Sequence, residues 1–225
     1  MGIFLRTAKA AAFGGAGGLG AFFFLTRKST FVPMDPNTSP ILHIRHAQLL
    51  NPNKNVTSHD DCMRKVPLDQ IKPELLRKEG DLVKAFCAGV WSGPGYTPQR
   101  LILQRMLYDN ETKGQLWSPK EFQESSYEVG TQITDHFEVL EHTPTSIIVR
   151  CGDTPRKREL RERDGVFELA VEMKPEEGVA EFHMRTVLWQ GQGKADTPPM
   201  SGPLQWLHQQ YAKLWMETAL HNVTK

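Results

Sequence analysis

The sequence predicts an α+β fold in which an antiparallel sheet is followed by a long carboxy-terminal helix, preceded by an amino-terminal membrane-anchor or targeting segment. Three observations carry this. From Tyr127 onward, four runs alternate polar and apolar residues with the period of a strand, and only turn-prone or charged residues separate them, so neighbours pair antiparallel. The clearest helical pattern then closes the chain, opened by Gly202 and Pro203. At the other end, the first 28 residues hold four basic side chains, and no acidic residue occurs before Asp35.

The leader, residues 1–34, runs from Arg6 and Lys9 into an apolar, glycine-rich span from Ala10 to Leu25, closed by Arg27 and Lys28. At about 1.5 Å rise per residue this span reaches roughly 25 Å, the lower limit for a hydrocarbon core of about 30 Å. An uncleaved anchor is the preferred reading, ahead of a cleaved targeting segment and of an ordinary buried segment. Gly14 with Gly18, and Ala12 with Ala16 and Gly20, form small-xxx-small series through which this helix can meet a second copy or a protein partner. Basic residues on both flanks leave orientation open. The acid-free, alanine-bearing leader fits a mitochondrial membrane, the inner one foremost. Four N-x-S/T sequons at Asn37, Asn55, Asn110 and Asn222 keep the endoplasmic reticulum membrane as the alternative.

Residues 35–61 read as a linker or extended lead-in, rich in Pro, Asn, Asp and Ser, with one extended piece at Ile41–Ile44. The folded domain is expected over residues 62–225. A helix starts at Lys72, with Pro73 in its first turn, and carries Leu75, Leu76, Leu82, Val83, Phe86 and Val90 to the Gly93-Pro94-Gly95 break. A second helix, capped by Thr97 and started by Pro98, presents Leu101, Ile102, Met106 and Leu107 as an apolar stripe, so the two are expected to form a hairpin. The strands follow at 136–141, 146–150, 166–173 and 181–189. The final helix carries Leu204, Leu207, Tyr211, Leu214, Trp215 and Thr218 to about Leu220.

Composition removes several functions. Lys+Arg 27 against Asp+Glu 26 gives a net charge of +1 with no one-signed tail, so no nucleic-acid partner is expected. Cys62, Cys87 and Cys151 are widely spaced without a CxxC, which fits neither a zinc site nor a disulfide framework. His43-x-x-His46 and His59-Asp60-Asp61-Cys62 lack the spacing that encloses an ion, so no metal or cofactor is expected. The run Thr154–Arg158, continued by Arg161 and Arg163 and interleaved with Glu159, Glu162 and Asp164, reads as a solvated hairpin tip. Trp91, Trp189, Trp206 and Trp215 read as core anchors.

The wording Gly130-Thr131, Asp135-His136-Phe137-Glu138-Val139, Val149-Arg150-Cys151-Gly152-Asp153, Asp164-Gly165-Val166-Phe167-Glu168, Trp206-Leu207-His208 and Lys213–Ala219 resembles a group of fungal proteins of unassigned function. Over roughly Cys62–Val223 the order of elements is more distantly similar to the START-like, helix-grip domains. That resemblance implies an interior cavity for hydrophobic molecules, as in lipid carriers, a ubiquinone-binding mitochondrial protein and some polyketide cyclases. It transfers no catalytic residue.

Alternation tests the implication independently. Phe137 and Val139; Ile147, Val149 and Cys151; Phe167, Leu169, Val171 and Met173; and Phe182, Met184, Thr186 and Leu188 each fall on one strand face, with Glu168, Glu172, Glu181, His183 and Arg185 on the other. Such a face either packs solid or lines a greasy pocket, and both readings stay open. Candidate lining residues are Phe137, Val139, Cys151, Phe167, Leu169, Val171, Phe182, Met184 and Thr186, with His208, Tyr211 and Trp215 contributed by the helix. His208 and Tyr211, three apart, are neighbours on the helix surface. The expected function is a membrane-tethered, non-catalytic domain that binds a lipid or quinone. Two alternatives stand beside it. One is a cyclase- or isomerase-like enzyme on an apolar polyketide-type substrate, using His208, Tyr211 and Arg185; the other is an accessory subunit of a mitochondrial membrane assembly.

Overall fold

In a computed structural model, which describes residues 18, 20–35 and 37–225, the chain forms a seven-stranded antiparallel sheet in the order β1-β2-β7-β6-β5-β4-β3. The strands are β1 (Thr30–Val32), β2 (Ser58–Pro67), β3 (Gln132–Ile133), β4 (Phe137–His142), β5 (Ser146–Cys151), β6 (Arg163–Lys174) and β7 (Val179–Gln190). The helices are α1 (Pro40–His43), α2 (Arg45–Leu50), α3 (Asp81–Ser92), α4 (Thr97–Leu107), α5 (Pro119–Glu124) and α6 (Gly202–Leu220). The α+β class, the antiparallel sheet and the closing helix therefore stand as expected. Most of the proposed anchor, including Gly14 and the Ala12–Ala16 pair, lies outside the described residues. Among those described, no helix is long and apolar enough to cross a membrane.

The main core fills one face of the sheet. Val66, Val149, Leu169, Val171 and Phe182 point to α3 and α6, and α3 is buried along Leu82, Val83, Phe86, Cys87, Val90 and Trp91. The two helices cross at Gly89, where an added Cβ would lie 2.4 Å from the Ala219 carbonyl oxygen and 2.8 Å from Asn222 Cβ, so only hydrogen fits. The end of α6 is stitched down by a bridge between Ile71 and Thr224 and by a 2.9 Å bond from Lys72 N–H to the Val223 carbonyl.

Several expectations change. Ile41–Ile44 is not extended: Pro40 at the first turn starts α1, and Ile41 and Ala47 of α1 and α2 pack with Ile148, Val166, Val187 and Trp189 on the opposite face of the sheet. The supposed lead-in thus contributes a third layer, and β1 and the first residues of β2 belong to the sheet. The helix expected from Lys72 is a 3-10 turn, Pro73–Leu76, separated from α3 by Gly80 at φ 88°, a left-handed conformation that glycine adopts freely. Helix α4 buries none of its residues, and its stripe faces outward, with Leu101 53 %, Ile102 60 % and Met106 73 % exposed. Its N-cap is Tyr96 rather than Thr97. Trp206 is exposed, unlike the other three tryptophans named above, and Met173 leaves the core row at the end of β6. The basic tip is solvated over most of its length, with Arg156, Lys157, Arg158, Glu159, Glu162 and Arg163 exposed, but it is also tied down: Arg156 pairs with buried Asp135 at 2.7 Å, Asp164 with Arg150 at 2.6 Å, and Arg161 is buried.

Gly89→Ala is expected to destabilise the chain by about 1–3 kcal/mol through overpacking, despite the roughly 1 kcal/mol that alanine gains in helix propensity. Urea denaturation of the full chain reads this; an unchanged or raised midpoint contradicts the close crossing.

Candidate functional site

Where the sheet passes beyond the end of α3, the core opens. A cavity of about 210 Å³ lies between β4–β7 and the amino-terminal half of α6, lined by Gln99, His136, Phe137, Cys151, Gly152, Phe167, Met184, Thr186, Leu188, His208, Tyr211, Ala212 and Trp215. Its back wall is aromatic: Trp91 stands edge-on to Phe167 at 6.1 Å and to Trp215 at 5.8 Å, and it meets Phe137 at 4.7 Å. Small residues, Cys151, Gly152, Thr186 and Ala212, supply the space in front of that wall.

Eight of the twelve residues expected to line a pocket do so: Phe137, Cys151, Phe167, Met184, Thr186, His208, Tyr211 and Trp215. The other four, Val139, Leu169, Val171 and Phe182, are buried in the solid core instead. Phe182 meets Phe86 of α3 edge-on at 5.0 Å, so the space in front of it is filled. Arg185 does not reach the pocket. It lies on the opposite face, bound to Asp61, Glu168 and Glu172 at 2.7–3.0 Å.

A second, outer groove of about 510 Å³, nearly all apolar, runs along α6 between Phe22, Met200, Leu204, Leu207, His208, Gln210 and Tyr211. His208 and Tyr211 are common to both spaces and form the partition. Leu204, Trp206 and Leu207 near the start of α6, and Phe23, Phe24 and Leu25 after Phe22, are all exposed.

Sequence reasoning missed Asp60. Its cross-strand partner is Thr186, so it sits on the concave face beside the cavity, with its side chain buried. Gln205 Nε2 donates to its Oδ2 at 2.8 Å, and His208 Nε2 lies 3.5 Å from the same oxygen, while Oδ1 and His208 Nε2 have no hydrogen-bond partner among the described residues. A buried carboxylate within ion-pair distance of an imidazole at a pocket wall is a setting in which an acid–base group can be tuned. The only sequence signal was an acidic residue two before Cys62 on the same strand face, and nothing local said that α6 would cover it.

Burial sets the remaining chemistry. It pushes the Cys151 thiol up to about 12, so this cysteine is no nucleophile near neutral pH. Burial raises the Tyr211 phenol as well, keeping it a neutral hydrogen-bonding group. His136, packed against the cavity, is held below the usual imidazole range by burial and by the charge of Arg161, and is neutral at pH 7. Comparison with protein-family models, curated proteins and solved structures gave no match to the chain.

The His136 shift has a definite sign. The folded state binds the proton less tightly than the unfolded chain, whose imidazole titrates near about 6.5. Its contribution to stability is therefore lost as pH falls through about 6.5 towards the lower folded value. His136→Gln is expected to flatten the loss of stability over that interval, read as denaturation midpoint against pH. An unaltered slope contradicts the assignment.

Proposed function

We propose that the protein is a membrane-tethered, START-like domain that binds one hydrophobic small molecule, a lipid or a quinone, between the sheet and α6, without chemistry of its own. The observation that carries this reading is the apolar cavity, placed where a sheet face otherwise packs solid. At about 210 Å³ the cavity is smaller than the usual range for drug-sized ligands, about 300–1,000 Å³. It suits one ring or a short stretch of chain, and the remainder of an amphiphile would lie past His208 and Tyr211 in the outer groove.

Tethering is supported by the acid-free leader and by Phe22, the residue through which the end of the leader touches that groove. The proposed site of action is a mitochondrial membrane, the inner one foremost. The alternative endoplasmic reticulum reading draws on the sequons, and two of these are poorly placed for a glycan. Asn55 Nδ2 donates to the Gln190 carbonyl at 2.6 Å and Asn222 Nδ2 to the Ala85 carbonyl at 2.6 Å.

The Asp60–His208 pair favours a second reading, an enzyme in which His208 moves a proton of an apolar substrate, with Tyr211 and Thr186 as polar contacts. The exposed stripe of α4 is the feature that favours the accessory-subunit reading.

The test is binding of the fluorescent apolar probe N-phenyl-1-naphthylamine to the full chain in mild detergent, with native mass spectrometry of copurified lipid. Ala212→Trp, which fills the cavity, is expected to weaken probe binding at least about ten-fold, while Lys120→Ala, exposed on α5 and lining neither space, changes little. No copurified lipid together with no saturable probe binding sinks the carrier reading. Conversion of a bound polyketide-like ligand that disappears in His208→Ala moves the assignment to the enzyme.

A further inference from the structure

We propose that the protein carries a divalent-cation site, fitted to zinc, on the face of the sheet opposite the ligand cavity, formed by Glu172, Glu181 and His183 of the β6–β7 hairpin. Among the described residues these three bring one donor atom each within 4.8 Å of one another. The register explains why they meet. Glu172 and Glu181 are direct cross-strand partners, and His183, two residues along β7 from Glu181, falls on the same face. Like charges directly opposite each other on paired strands destabilise a sheet unless a cation lies between them.

The histidine points to a ligand independently of the acidic pair. Its side chain is 7 % exposed, and Nδ1 lies 3.0 Å from both carboxylate oxygens of Asp61. That contact leaves Nε2 facing the two glutamates, 3.8 Å from Glu172 Oε1 and 4.0 Å from Glu181 Oε2, without a hydrogen-bond partner among the described residues. A carboxylate behind an imidazole whose far nitrogen meets other donors is the usual outer-shell arrangement of a metal-bound histidine. One imidazole and two carboxylates suit zinc, with a fourth position left for water. Ligands at about 2.1 Å from a tetrahedral ion lie about 3.4 Å apart, so His183 Nε2, at 3.8 and 4.0 Å, needs to close on each glutamate by roughly half an ångström, and the two carboxylates draw together from within 4.8 Å.

The charge balance agrees. Asp61, Glu168, Glu172, Glu177 and Glu181 share this patch with Lys65, Lys174 and Arg185, which leaves two negative charges when His183 is neutral. Arg185 Nη2 donates to Glu172 Oε1 at 2.7 Å, and Lys65 Nζ lies 2.9 Å from Glu181 Oε1. The direct competitor is Lys174, whose Nζ lies 3.1 Å from Glu172 Oε2 and 3.7 Å from Glu181 Oε2, the Glu181 oxygen that faces His183. Its side chain is 38 % exposed and free to swing into solvent when a divalent ion arrives. The site is thus a cation seat shared between a lysine and a metal.

Cobalt(II) titration of the chelator-treated full chain tests this, followed by its visible absorption and by displacement with zinc. We expect a one-to-one end point, lost or weakened at least about ten-fold in His183→Ala and by about 10–100-fold in Asp61→Asn, the outer-shell change. His46→Ala, on an exposed pair with Glu141, is expected to leave the titration unchanged. Lys174→Met, which removes the competitor and leaves every ligand in place, is expected to tighten binding several-fold. Saturable binding that persists in His183→Ala, or Lys174→Met protein that keeps a native circular-dichroism spectrum yet binds no cobalt, overturns the proposal.

Discussion

The position of Trp91 determines where this molecule is solid and where it is hollow. The indole sits at the end of α3, its N–H directed to Cys87 Sγ at 3.2 Å, and it meets Tyr96, Phe137, Phe167 and Trp215 at ring separations of 4.7–6.1 Å. On the α3 side of that cluster, Phe86 and Val90 fill the concave sheet against Leu169, Val171 and Phe182. On the other side α3 has ended, and the chain supplies cysteine, glycine, threonine and alanine. Aromatic pairs of this kind contribute about 0.5–1.5 kcal/mol each beyond their buried area. A rigid wall is what allows a void beside it to persist, because loosely held neighbours would collapse into the space.

The legible parts of the fold were those whose physics is local. Strands β4 to β7 announce themselves by alternation, and α6 by Gly202-Pro203 followed by a long helical period, because each element contacts the core through one regular face. Strand β2 does not. Ser58-His59-Asp60-Asp61-Cys62 shows little apolar alternation because both of its faces take polar partners: Asp60 meets Gln205 and His208 of α6, while Asp61 meets His183 and Arg185 of β7. Those partners lie more than 120 residues away, so the pattern reads as loop until the sheet is assembled. Helices α1 and α2 were hidden for a related reason: two short segments set between stretches rich in turn residues are held as helices where they pack on the sheet and Trp189 Nε1 donates to the Leu50 carbonyl at 3.0 Å. Helix α4 erred the other way, its apolar stripe implying burial against a neighbour that the described residues do not provide.

The site was legible to the same depth. Alternation assigns a side chain to a face, and all nine sheet residues named as candidate lining do face inward, although Met173 of the same row is exposed at the end of β6. It does not reveal which part of that face a helix will cover, and this separates Val139, Leu169, Val171 and Phe182 from the true lining. The residue with the most chemical content, Asp60, was legible only in three dimensions, because a carboxylate on a strand acquires meaning from what covers it. His208 and Tyr211 were found because neighbours three apart on a helix meet irrespective of tertiary structure.

The two faces of β7 serve the cavity and the ionic network at once. Phe182, Met184 and Thr186 point inward while Glu181, His183 and Arg185 point outward, so the register that builds the cavity also builds the ionic face. A slip of one residue would carry the charges into the core and the apolar row into water. Apolar packing on the inner face specifies register weakly where the core is hollow, since side chains lining a void have fewer neighbours to satisfy. The outer network supplies what the void gives up: Arg185 is held by carboxylates from β2 and β6, and His183 by Asp61 of β2, which ties together β2, β6 and β7, the last two carrying Phe167, Met184 and Thr186. Polar links on one face of a sheet thus allow a protein to leave the other face open for a guest.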